Sequence, residues 1–316
     1  MVPIVFLESC CSEAGGREDG YVTGYCDGTL IEGALQLMEQ NSQTTRTSRL
    51  LPIQVIAVTG GKGVIGKTNV SINLAVALSN RGRSVMLLDA NLGMANVDVM
   101  LGLQCEYNLS HLLNGECDLN EIIVKGPSDI LVVPAASGVQ RMAKLSPAEH
   151  TGLIHVFSEV SERMNTLIID TAAGITDSVI SFTKAAHEVV VVVCDEPASI
   201  ADASALIRVL CKEHDVSRFR VLTNMVQSLA QGKKVYEKLL GAVSHTVDVT
   251  LDYIGFIPFD ENLRKSVQNR CAVVNEFPEC VSAAAFSELA ATVDHWPVVQ
   301  SSEGRLEFFF ERLVKA

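Results

Sequence analysis

The stretch GGKGVIGKT, residues 60–68, gathers the residue types that hold a phosphate chain. Gly61 and Gly66 bracket Lys62, Gly63, Val64 and Ile65, and Lys67 and Thr68 follow at once, which is the spacing of a P-loop. Such a loop turns successive backbone N–H groups inward, and a helix starting at its end adds its positive pole. Lys67 is placed to reach β- and γ-phosphates, and the Thr68 hydroxyl to offer an oxygen to Mg2+. A dinucleotide-binding turn fits poorly, since it needs glycines but not this lysine and threonine.

Carboxylates complete that chemistry. In LIIDTAAG, 167–174, Asp170 ends an apolar run, the position from which an aspartate holds Mg2+ directly or through water. Ala172, Ala173 and Gly174 keep the turn after it small. In LLDANLGMANVDVMLGL, 87–103, Asp89 ends another run, and Asn91 follows two residues later. An amide orients a water but cannot accept its proton, so Asn91 offers placement without general-base help. Asp98 reads as a local helix cap or as a switch residue.

These residues need a scaffold, and the hydrophobic pattern supplies one. Nearly continuous apolar runs at 55–59, 84–89, 130–135, 166–170, 188–195, 219–224 and 253–258 read as strands. Helical segments are expected at 69–82, with Val70, Leu74, Ala77 and Leu78 on one face, and near 147–164, 176–187, 199–214, 230–243 and 282–295. Strands without polar alternation belong to a sheet covered on both faces. The expected fold is α/β: a mostly parallel, doubly wound P-loop sheet covered by helices, with a C-terminal amphipathic helix. The expected divisions are a poorly defined extension and linker over 1–51, the nucleotide-binding domain over 52–296, a linker over 297–304 and the helix over 305–316.

Composition agrees with such a core: 48% of residues are hydrophobic and only 5% aromatic. The formal net charge of −12 argues against direct nucleic-acid binding, which needs a basic surface. The 9 cysteines are scattered without metal-site spacing and read as free thiols of a reducing cytoplasm. MVPIVFL is short and lacks a preceding basic region, so no signal peptide is expected, and no run approaches the roughly 20 apolar residues of a membrane span. In GRLEFFFERLVKA, 304–316, Leu306, Phe309, Phe310, Leu313 and Val314 form an apolar stripe at helical spacing. That stripe suits shallow insertion at a membrane surface and docking into a groove equally well.

The loop with its early Lys62 resembles the MinD/ParA-like "deviant Walker A" ATPases, whose loop reads K-G-G-x-G-K-T. DTAAGI, the EPASI segment, VLTNMV and NVSINLAVAL resemble more narrowly the flagellar-number regulator branch, FlhG/FleN, over roughly 53–316. The resemblance implies ATP with Mg2+ and an ATP-dependent homodimer in which Lys62 crosses to the partner's nucleotide. It also implies that Asn224 contacts the adenine edge and that Pro258, Phe259 and Asp260 flank the base; the plainer readings are a helix cap for Asn224 and a strand end for Pro258. The implied partners are a flagellar transcription activator, a polar GTPase and the inner membrane surface, met reversibly from the cytoplasm through the last helix. Three features depart from the family: Val64 replaces a glycine, Asn91 replaces an aspartate, and residues 28–43 carry no D-Q-A-x-x-L-R segment. Glycine serves left-handed backbone or close approach to phosphate, so Val64 is expected to weaken or alter nucleotide binding. With Asn91, slow hydrolysis or none is expected. Two alternatives stay open: a nucleotide-binding scaffold without turnover, and a division or segregation positioning ATPase.

Overall fold

The computed structural model describes residues 53–91, 96–108, 111–112, 114–134, 160 and 163–298. All of them fall within Leu50–Ala316, one of two units into which the chain divides. The strands are β1 (Gln54–Thr59), β2 (Val85–Ala90), β3 (Val124–Lys125), β4 (Leu131–Val133), β5 (Thr166–Thr171), β6 (Glu188–Val193), β7 (Arg218–Val226) and β8 (Thr250–Pro258). The described helices are α1 (Lys67–Asn80), α2 (Val97–Leu101), α3 (Leu119–Ile122), α4 (Asp177–Ala185), α5 (Pro197–His214), α6 (Leu229–Ser244), α7 (Glu261–Gln268), α8 (Val273–Glu276) and α9 (Val281–Asp294).

The strands form one eight-stranded sheet in the order β3-β4-β2-β5-β1-β6-β7-β8. Every pairing is parallel except that of β3 with β4. Successive residues of β1 point to opposite faces, and both faces are buried. Ile56 and Val58 join a core with α1 and α9, while Val55 and Ala57 join one on the other side with Phe182 of α4. This is the covered sheet expected from the apolar runs.

Two local expectations need correction. Helix α1 is buried nearly all round, with Ile72, Ala75 and Val76 enclosed as fully as the expected face, because α9 packs over it. The sequence reading missed α2, α3, α7 and α8, which are too short or too polar to show a hydrophobic period. The segment expected to be helical near 147–164 lies, but for Val160, Arg163 and Met164, outside the described residues.

At the end of the sheet opposite the P-loop, Arg220 of β7 forms a two-pronged bond with Glu188 of β6, Nε to Oε2 at 2.8 Å and Nη2 to Oε1 at 3.2 Å. Its Nη1 reaches Asp252 of β8 at 2.7 Å, and its guanidinium carbon lies 4.8 Å from the Trp296 ring centre. Removing one partner of a buried ion pair strands the other charge without water. Arg220→Ala is therefore expected to cost about 3 kcal/mol by urea unfolding, with Arg220→Ala combined with Glu188→Ala less damaging than the two single losses added.

Candidate functional site

Between β1 and α1 the chain makes one 3-10 turn, Gly63–Ile65, and leaves it through Gly66 in left-handed backbone, φ 80° and ψ 25°. A β-carbon on Gly66 would also stand 2.6 Å from the Asn224 side-chain nitrogen, so this glycine is required twice over. Gly61 is held by contact instead: a β-carbon there would run into Asp202 of α5.

A 3-10 turn directs successive side chains about 120° apart. Ile65 enters the core, Gly63 faces Ala173, and Val64 stands 72% exposed. Positive φ outside glycine is confined, among the described residues, to Ser128, Asp129, Asp215, Met225 and Arg270. Val64 thus uses ordinary backbone, so of the two reasons for a glycine at this place the left-handed one does not apply.

The two loop lysines differ sharply. Lys67 is buried, donates to the Lys62 carbonyl at 3.0 Å, and has its pKa lowered by burial, partly offset by Asp170. Lys62 is partly exposed, and its ammonium meets Glu196 at 2.6 Å, which raises its pKa. No acidic residue occupies the first turn of α1, so the helix N-terminus keeps its positive character.

Asp170 ends β5 almost without access to water, 1% exposed. Its Oδ2 accepts from the Thr68 hydroxyl at 2.7 Å and its Oδ1 from Ser71 at 2.9 Å. Asp89 lies beside it in register on β2, fully buried. Burial first, and the charge of Asp89 second, push Asp170 up to about 7 against the pull of its two hydroxyl partners. Burial also raises Asp89, against N–H groups of Asn91, Val97 and Asn96. Two buried carboxylates thus face one buried ammonium, and the nearby donors are all hard oxygens. That set fits Mg2+, which takes one or two protein oxygens and completes its shell with phosphate and water. No group of three or more His, Cys, Asp or Glu able to hold a metal occurs among the described residues.

The remaining candidates divide. Asn91 gives its backbone N–H to Asp89 Oδ1 at 3.0 Å, while Asn96 and Val97 serve Oδ2 at 3.1 and 3.2 Å. Asp89 therefore ties both ends of this loop to β2. Asn96, not Asp98, stands at the N-cap of α2. Asn224 is buried on β7, and its Nδ2 donates to the Ile65 carbonyl at 2.8 Å. It is no helix cap: Ser228 caps α6, accepting from the Gln231 N–H at 3.3 Å. Pro258 ends β8, and the Phe259 side chain is half exposed. Asp260 is committed to structure: it caps α7 through Asn262 N–H at 2.9 Å and receives the N–H and hydroxyl of Ser282, at 3.1 and 2.9 Å. Leu306, Phe309, Phe310, Leu313 and Val314 lie outside the described residues.

Sequence reasoning overlooked Ser71, Glu196, Asp202 and Met225. Ser71 was findable, one helical turn beyond Lys67 on the same face. Glu196 and Asp202 reach the loop only through the packing of β6 and α5. Met225, left-handed at φ 57°, is held by the Asn224 side chain on its N–H at 2.9 Å.

A glycine-bracketed turn, a buried lysine and a strand-end carboxylate bound to the loop threonine define a P-loop NTPase fold. The ParA family model, described as NUBPL iron-transfer P-loop NTPase, matches residues 53–294. Antiactivator FleN of Pseudomonas aeruginosa is 53% identical over 264 residues, 84% of this chain and 94% of that protein. The flagellum site-determining protein YlxH of Helicobacter pylori is 30% identical over 296 residues, 87% of this chain and 99% of that one. The septum site-determining protein MinD of Pyrococcus horikoshii, solved in complex with Mg-ADP, superposes with a TM-score of 0.60 at 26% identity, covering 77% and 96% of the two chains. The chain belongs to the FlhG/FleN branch of the MinD/ParA P-loop ATPases.

The raised pKa of Asp170 has a consequence for the nucleotide-free protein. The folded value, about 7, lies above the ordinary value of 3.8, so the folded state holds the proton more tightly between them. Its stabilising effect is full below the unfolded value and is lost as pH rises towards the folded one. Thermal unfolding without Mg2+ is expected to show stability falling between about pH 4 and 7, by a few kcal/mol at most. Asp170→Asn should flatten that slope and raise the melting temperature at about pH 8.

Proposed function

We propose that the chain is an ATP-dependent dimerising regulator of flagellar number or placement, with slow hydrolysis. The observation that carries the nucleotide part is the buried Asp170 carboxylate held by Thr68 and Ser71 beside Lys67. The flagellar part draws on the names of the relatives, an antiactivator and a flagellum site-determining protein. An antiactivator acts on an activator of transcription, and this is the first partner proposed here. A polar GTPase is the second, and the inner membrane surface, met from the cytoplasm by residues 305–316, the third. No helix among the described residues is long and apolar enough to cross a membrane.

Each residue has a role in this reading. The backbone of residues 61–66 and the N-terminus of α1 cradle phosphates, while Lys67 leaves the Lys62 carbonyl for the β- and γ-phosphates. Thr68 and Asp170 hold Mg2+, which supplies positive charge against the phosphates and the carboxylate pair. Lys62 exchanges Glu196 for the nucleotide of a second copy. Asn224 fixes the loop through Ile65 and, with Phe259 and the backbone of Pro258 and Asp260, borders the base. Asn91 orients the attacking water without taking its proton, so turnover depends on positioning alone.

Two other readings keep specific support. A septum-type positioning role draws on the likeness to MinD. A binding scaffold without turnover draws on Asn91, the amide where the family carries a carboxylate.

Purified full-length chain is expected to bind Mg2+-ATP and to release phosphate slowly. Asn91→Asp should raise the rate about ten- to a hundredfold with little change in affinity. Lys67→Ala should lose most binding. Failure to bind nucleotide in the presence of Mg2+ would remove this reading, and unchanged turnover in Asn91→Asp would remove the role given to Asn91.

A further inference from the structure

The carbonyl of Ile65 is fastened from two strand ends at once. Asn224 on β7 donates its Nδ2 to it at 2.8 Å, and the Cys194 thiol, just after β6, donates at 3.8 Å. A carbonyl oxygen has two lone pairs, and both are engaged. All three residues are buried, so water does not compete for these bonds. The other end of the Asn224 amide is taken as well: Oδ1 accepts the N–H of Met225 at 2.9 Å. Met225 is left-handed, φ 57°, and lies where the β7–β8 register shifts between Asn224 and Val226. A residue other than glycine keeps such backbone only where its surroundings enforce it, and the Asn224 side chain helps to do so.

Reading an adenine edge takes the donor and the acceptor of one amide together. In Asn224 both are turned to backbone of its own chain, and the donor controls the peptide between Ile65 and Gly66. That peptide is trans, so its carbonyl and its N–H point in opposite directions. Holding the Ile65 carbonyl against β6 and β7 therefore turns the Gly66 N–H away from them. Gly66 is fixed on its other side too, its carbonyl accepting the Val70 N–H at 3.0 Å in the first turn of α1.

We propose that Asn224 is a positioning residue for the phosphates: by pinning the Ile65 carbonyl it keeps the Gly66 N–H aimed into the phosphate cradle. The inference rests on the nucleotide-binding reading above and deepens it, moving the main effect of Asn224 from the base to the phosphate chain. A cradle held in this way exists before any nucleotide arrives, so it takes a phosphate chain that carries no base.

The test titrates Mg2+-ATP, Mg2+-GTP and Mg2+-tripolyphosphate, the last having no base, into the full-length chain and into Asn224→Ala. Asn224→Ala is expected to weaken ATP and tripolyphosphate alike, about tenfold each, and to change the ratio of ATP to GTP affinity by less than about twofold. A tripolyphosphate affinity that does not fall overturns the proposal, because the amide then acts on the base or on the fold alone. Loss of the discrimination between ATP and GTP overturns it as well. So does an unmodified chain that binds ATP but not tripolyphosphate. Where Asn224→Ala does not fold, Asn224→Ser decides the same comparison, since it keeps a polar group at this buried place but is too short to hold the Ile65 carbonyl. If the unmodified chain binds none of the three ligands, the functional reading fails and this inference with it.

Discussion

The hydrogen bonds from Thr68 and Ser71 to Asp170, at 2.7 and 2.9 Å, join the first turn of α1 to the end of β5 where water hardly enters. Parallel pairing fixes that meeting. Val58 and Asp89 both lie in register with Asp170, so the strand before the loop and the strand before Asn91 end at the same level. Packing thereby sets two carboxylates side by side with one buried ammonium, Lys67. An arrangement short of positive charge favours protonation when empty and ionisation when a divalent cation arrives. The same scaffold that positions the site thus creates its demand for a metal.

A second set of contacts holds the loop from its other side. Asn224 ties Ile65 to β7, and Asp202 presses on Gly61 from α5. Asp89 holds both ends of the following loop by backbone N–H groups, at residues 91, 96 and 97. Each of these strand ends is thus bonded to a loop of the site. The Asp260 carboxylate is committed in the same way, to α7 and Ser282.

Most of the sheet was legible because strands covered on both faces are written as unbroken apolar runs, and the P-loop because glycine, lysine and threonine at fixed spacing have a chemical reason. The limits were physical as well. Helix α1 looked one-faced, yet α9, more than two hundred residues later in the chain, closes its outer side. The partners of Lys62 and Gly61 come from β6–α5, which no local pattern announces. Asn224 looked like a cap or a base contact, and its bond to the Ile65 carbonyl depends on a chain crossing visible only in three dimensions. At Val64 the sequence left two reasons for a glycine open, because a residue's type does not reveal whether its φ is negative or where its side chain points.

The claim that the buried carboxylates require a cation is tested most directly by calorimetry. Preformed Mg2+-ADP is titrated into the full-length chain near pH 6.5 in two buffers of different ionisation enthalpy. With Asp170 half ionised near pH 7 before the cation arrives, the account predicts release of about 0.5–1 proton for each complex formed, with little binding when Mg2+ is withheld. Equal heats in the two buffers, or binding as tight without the metal, would contradict it: Asp170 would already be charged in the empty site, and the cation would have no deficit to fill.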